Sequence, residues 1–223
     1  VGVEEALRLW DEFPVRRAPR PIVLMDCAIG RGRLSQREQV LGHRPVVSEV
    51  GLPPGILGRL QPKYPDGSAP AVVTSVRRVW PEFRTDRGHR PLPAYRLEFA
   101  GATGDLLLLD DSVVARTWWP EGLTGRWRGG LPGMCASVVM DGGRSVRLLF
   151  QGALPSYSDV RVRAVHESRT AVLVEVEDLP HRPGSPMPLA AVGRVVMARL
   201  EQPLGARVLL VGEGVPVQVM SAG

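Results

Sequence analysis

Cysteine, lysine and long apolar runs are all scarce in this chain of 223 residues. The two cysteines, Cys27 and Cys135, allow one disulfide at most and cannot make a zinc site between them. Nothing in the sequence shows that they meet. The longest apolar stretches, such as Leu106–Leu109, are too short to span a membrane. No charged start followed by an apolar core stands at the N-terminus, so no export signal is read. The default expectation is therefore the cytoplasm, with the cell envelope or exterior as the alternative for a processed form.

Catalytic signatures are missing as well. None of the four histidines, His43, His89, His166 and His181, lies at helical spacing from another. There is no G-x-S-x-G elbow for a serine nucleophile. Gly30-Arg31-Gly32-Arg33 begins like a phosphate loop but lacks the third glycine and the helix that would follow. Cys27 follows Asp26, whose carboxylate raises a neighbouring thiol's pKa and lowers its reactivity. The expectation is no metal and no cofactor.

Lys63 is the single lysine, so the formal charge of +5 is carried by arginine. The excess is shared between the two halves, with no basic tail, and the arginines mostly alternate with apolar residues. That pattern describes solvated strand faces and weighs against nucleic acid as a partner.

Glycine and proline are abundant, 25 and 21, and spread without a period, which means short strands joined by many turns. Residues 4–12 predict a short amphipathic helix ended by Phe13-Pro14. Ile22–Met25 reads as a buried strand, and Pro53–Leu60 as a short helical turn. Tyr95, Leu97 and Phe99 alternate with Arg96 and Glu98, giving a half-buried strand with Leu106–Leu109 as its antiparallel neighbour. Ala136–Met140 and Val146–Phe150 predict one hairpin, and Val160–Val165 with Ala171–Val176 a second. In the second hairpin a constant register would set Arg163 opposite Glu175 and Arg161 opposite Glu177. His166 would then cap the apolar face beside Val172. Val192–Leu200, Arg207–Val211 and Val215–Val219 complete the strands.

The expected fold is mainly β: two antiparallel β units, barrel- or sandwich-like, with a short N-terminal helix and few other helical turns. The units would be 1–115 and 134–223, joined by a connector at 116–133.

That connector, RTWWPEGLTGRWRGGLPG, carries the one candidate binding surface: Trp118, Trp119 and Trp127, with Arg126 and Arg128 beside them. Adjacent side chains on an extended chain point to opposite sides, so Trp118 and Trp119 should not easily share one core. An exposed indole flanked by arginine suits a protein or polysaccharide partner. The competing reading has the indoles plugging the junction between the β units. Thr85-Asp86-Arg87-Gly88 is expected to be a turn, with Asp86 accepting a backbone N–H and Gly88 at positive φ.

FPVRRAPRPIVL (13–24), FRTDRGHRPLPAYRLEF (83–99), HESRTAVLVEVE (166–177) and AVGRVVMARLEQPLGARVLL (191–210) resemble an uncharacterised family of hypothetical proteins from high-GC Gram-positive bacteria, many of them lipoprotein-like or exported. The resemblance covers most of the chain and implies no activity, so it assigns no site residue. It implies a disulfide between a cysteine like Cys135 and one just before the AAVG-like segment. Here Leu189 stands at that place, which puts the disulfide and an exported location in doubt.

The expected function is therefore a non-enzymatic interaction or structural module that binds another macromolecule. One alternative is an enzyme with a site assembled from separated loops around Asp86, His89 and Asp110. Another is an anionic-polymer binder that uses Arg77, Arg78, Arg84, Arg87 and Arg90.

Overall fold

A computed structural model describes residues 2–25, 41–101, 105–121, 136–182 and 191–221. The fold is mainly β with a short N-terminal helix, as the composition and periodicity predict. The chain divides into two compact units. The first comprises Val1–Met25, Arg84–Gly88 and Trp118–Gly223; the second comprises Asp26–Phe83 and His89–Thr117. The N-terminal helix groups with the C-terminal strands.

In the first unit, two four-stranded sheets enclose a core. One has the order β13 (Val215–Pro216), β12 (Val208–Val211), β10 (Ala171–Pro180), β9 (Ser158–Glu167). The other has the order β11 (Val192–Arg199), β8 (Ser145–Gly152), β7 (Ala136–Met140), β14 (Val219–Ser221). Val146, Leu148, Val196 and Ala198 from the second sheet meet Val172, Val174, Leu209 and Val211 from the first. On the far side of the first sheet, Ala171, Leu173, Val208 and Leu210 pack with Ala6 and Trp10 of α1 (Val3–Trp10) and with Phe13. Four consecutive buried residues in both β10 and β12 are the mark of strands covered on both faces, and these two run parallel.

The sheets are mixed and not purely antiparallel. β10 and β12, β7 and β14, and in the second unit β1 (Val46–Ser48) and β2 (Ala71–Val79), are parallel pairs beside antiparallel ladders. Ile22 and Val23 are buried as expected. Instead of a strand, this segment contributes an isolated bridge from Leu24 to Thr85.

The second unit is one sheet in the order β1 (Val46–Ser48), β2 (Ala71–Val79), β5 (Ala94–Phe99), β6 (Asp105–Leu109). Ile56 and Leu60 of α2 (Ile56–Leu60) pack with Val46, Val73, Leu97 and Leu106. Gln61, just past α2, covers the edge of β1 with its amide: Nε2 donates to the Val46 carbonyl at 2.7 Å and Oε1 accepts the Val46 N–H at 3.2 Å. β3 (Glu82–Thr85) and β4 (Gly88–Pro91) form a two-stranded hairpin around the expected turn at residues 85–88.

The register of β9 and β10 is the predicted one only in part. Val176–Pro180 pair with Val162–Ser158 as expected, but a bulge shifts Val172–Glu175 by one residue. The cause lies in the valines. Val160, Val162 and Val165 all face the core, at spacings of two and then three, and a bulge is what puts a three-residue step on one face. His166 consequently leaves the apolar face and bonds Glu175 Oε1 through Nε2 at 2.5 Å. The Arg161–Glu177 and Arg163–Glu175 ion pairs survive at 3.0 and 3.7 Å.

Candidate functional site

The residues named for an enzyme site have structural employment. Asp86 is buried, and both its oxygens accept from Arg20: Nη1 to Oδ1 at 3.2 Å and Nη2 to Oδ2 at 2.5 Å. Its backbone is held too, the N–H by the Val23 carbonyl and the carbonyl by the Val219 N–H. Gly88 has φ of 89°, as the turn predicts. The capping side chain is Thr85 and not Asp86: Thr85 Oγ1 accepts the Arg87 N–H at 3.1 Å and donates to the Gly88 carbonyl at 2.8 Å. With Thr85 filling that role, the Asp86 carboxylate is free to take the bidentate arginine.

Asp110 caps the N-terminus of α3 (Asp111–Val114). Its Oδ1 accepts the Ser112 hydroxyl at 2.6 Å and the Ser112 N–H at 3.0 Å; Oδ2 accepts Arg78 at 3.1 Å and the Tyr95 hydroxyl at 3.2 Å. The Ser112 bonds, aided by Tyr95 and Arg78, outweigh burial and hold the Asp110 carboxyl below its ordinary range. Burial, and then donation to Asp110, pushes the Tyr95 hydroxyl up. Asp111 pairs with Arg59 at 2.5 Å. A carboxylate held ionised by four donors is a poor general base. His89 is exposed in the second unit.

The arginines proposed for an anionic polymer are largely engaged. Arg77 pairs with Glu98 at 2.5 Å, Arg78 with Asp110, and Arg87 approaches Asp86 at 3.7 Å while donating to the Gly205 and Arg207 carbonyls. Arg84 reaches the Met25 carbonyl. Among the described residues no group of His, Cys, Asp and Glu is assembled to hold a metal ion, and no helix is long and apolar enough to cross a membrane.

Of the candidate binding residues, Trp127, Arg126 and Arg128 lie outside the described residues, as do Cys27, Cys135 and Leu189. Trp118 and Trp119 are half-buried and both meet Trp10, with ring centroids 5.4 and 5.9 Å away; Phe13 stands 5.2 Å from Trp118. The expectation that neighbouring indoles diverge presumes a strand. Residues 118–120 form none, so both rings reach one aromatic cluster. Arg20 lies 4.7 Å from the Phe13 ring, joining this cluster to the Asp86 clamp.

Among the described residues, a different surface carries exposed apolar side chains. On the sheet β11-β8-β7-β14, the residues pointing away from the core form cross-strand rows. The pairings Met197↔Arg147, Arg147↔Val138 and Val138↔Met220 make one row; Val195↔Leu149 and Leu149↔Ala136 make the next; Arg199↔Ser145 and Ser145↔Met140 make a third. Val195, Met197, Met140 and Met220 are 46%, 49%, 38% and 47% exposed, enough to distinguish an open face from a seam. No acidic residue occupies any of these positions.

Sequence reasoning missed this face, although it read Val192–Leu200 as a strand. The signal was present: β11 has apolar side chains on both parities, Val196 and Ala198 inward, Val195 and Met197 outward. β10 and β12 show the same pattern and are buried on both sides, so the pattern alone does not separate a docking face from a second core. Comparison with family models, curated proteins and solved structures returns no match for this chain.

Proposed function

We propose that this chain is a non-enzymatic interaction module that binds a protein through the outer face of the β11-β8-β7-β14 sheet. The observation that carries the reading is the outward row Met197, Arg147, Val138 and Met220, apolar but for the arginine, with Val195 and Leu149 alongside, across four strands. Contiguous exposed apolar surface costs solubility and marks interaction sites. Isolated exposed apolar residues would carry no such meaning. The enzyme reading has less support, since Asp86 is buried in an ion pair with Arg20 and Asp110 accepts from four donors.

The test is the double substitution Val195→Thr with Met197→Thr, which keeps strand propensity while removing apolar area. On this reading stability changes by less than about 1 kcal/mol, because neither side chain is in the core. Binding of a hydrophobic dye falls, and proteins retained by the native chain are lost. A stability loss above about 2 kcal/mol would show instead that the chain itself closes this face.

A further inference from the structure

We infer that the partner of this face is an acidic amphipathic helix, an inference that rests on the docking face just proposed. Arg147 sits inside the apolar row, between Met197 and Val138, and Arg199 flanks it on β11. Both are exposed, and among the described residues neither has a carboxylate partner. Any molecule that covers the row strips water from Arg147. A guanidinium buried without an anion is strongly unfavourable, so the covering surface must bring a carboxylate to that point. It must also bring apolar side chains for Val195, Met197, Leu149 and Met220.

Charge separates the occupants. A second copy stacked face to face would set Arg147 and Arg199 against a surface whose nearest acid, Asp141, stands at its Met140 end and already accepts the Ser145 hydroxyl, a mismatch that a two-fold contact repeats on both sides. An anionic membrane calls for a dense basic cluster or an aromatic anchor, and this face has two arginines and no aromatic ring. A helix fits the geometry because a sheet face is closed by a helix or another sheet, not by a lone strand lying across it. This unit already closes its other sheet in that way, with α1 laying Ala6 and Trp10 on β10 and β12 and carrying Glu4 and Glu5 in its first turn.

The experiment uses the full chain and three synthetic helical peptides that share leucines at i, i+3, i+4 and i+7. The flanking positions hold glutamate, glutamine or lysine, and binding is followed by fluorescence anisotropy at low salt. The glutamate peptide should bind at least tenfold tighter than the glutamine peptide and the lysine peptide not at all. Arg147→Glu should reverse the glutamate–lysine preference, and Val195→Thr with Met197→Thr should weaken every peptide. Equal binding of the glutamate and glutamine peptides, lost in the double variant, would overturn the acidic partner and leave the docking face standing. Failure of all three peptides to bind, or binding indifferent to these substitutions, would overturn both. Self-association abolished by Met197→Thr, or binding to phosphatidylserine vesicles in place of the glutamate peptide, would overturn the helix in favour of a second copy or a membrane.

Discussion

At the scale of single residues, the Arg20–Asp86 pair is the most telling contact. Asp86 is almost wholly buried, with 2% of its side chain exposed, and Arg20 keeps 20%. Replacing one member of such a pair leaves the other charge uncompensated, a loss of about 3–5 kcal/mol when both are fully buried. Partial exposure of Arg20 lets water compensate in part, so Asp86→Ala should cost about 2–3 kcal/mol. That exceeds the roughly 1 kcal/mol of a simple turn bond, which Thr85 now supplies. Chemical denaturation reads the difference, and a cost near 1 kcal/mol would mean that the ion pair adds little. The sequence placed the turn and the φ of Gly88 correctly. It could not place Arg20, which is 66 positions away and reaches Asp86 only through the fold.

At the scale of elements, local periodicity found most of the longer strands, missed the β3–β4 hairpin, and did not show where each strand's second face went. β5 alternates, and it was legible with β6 as its antiparallel neighbour, Leu97 opposite Leu106. The β9–β10 hairpin was legible at one end only, because a constant register ignores the three-residue step from Val162 to Val165. That step makes a sharp prediction. Val165→Asn puts an amide against the apolar core and should cost about 2 kcal/mol, whereas Ala164→Asn, opposite Glu175 on the other face of the sheet, should cost less than half as much. Unfolding curves in which Ala164→Asn proved the worse of the two would restore the unbulged register.

The seat of α1 is equally specific. Trp10 Nε1 donates to the Gly214 carbonyl at 3.0 Å, and a Cβ on Gly214 would lie 2.9 Å from the Ala6 Cβ. Gly214 also has φ of 88°. Gly214→Ala therefore meets both a steric and a backbone penalty, and should destabilise the protein by about 2–4 kcal/mol. Near-native stability, measured by thermal or urea unfolding, would mean that α1 can shift away at little cost. The helix itself was legible from Leu7, Trp10 and the acids of its first turn. Its docking partner, 204 positions later, was not.

At the scale of the whole molecule, each unit holds a carboxylate whose ionised form the fold favours, and this sets the response to acid. In the first unit, burial works to raise the pKa of Glu167. The Arg207 guanidinium at 2.7 Å and the Glu201 N–H at 2.5 Å outweigh it and hold the pKa below the ordinary 4.5. In the second unit the Ser112 bonds do the same for Asp110, below its ordinary 3.8. For both groups the unfolded chain binds the proton more readily than the folded one. Their contribution is complete above the unfolded values and lost as pH falls through the lower, folded values. The urea midpoint should therefore stay level in the neutral range, as far as these groups are concerned, and fall as pH drops below about 4.5. Glu167→Gln should start lower at neutral pH, because Arg207 loses its counter-charge, and show a shallower acid limb. The variant and native curves should converge in strong acid, where native Glu167 is also neutral. Curves that stay parallel down to pH 2 would show that Glu167 is not the titrating group, and that the clamp joining β9 to the 201–207 segment holds without its charge.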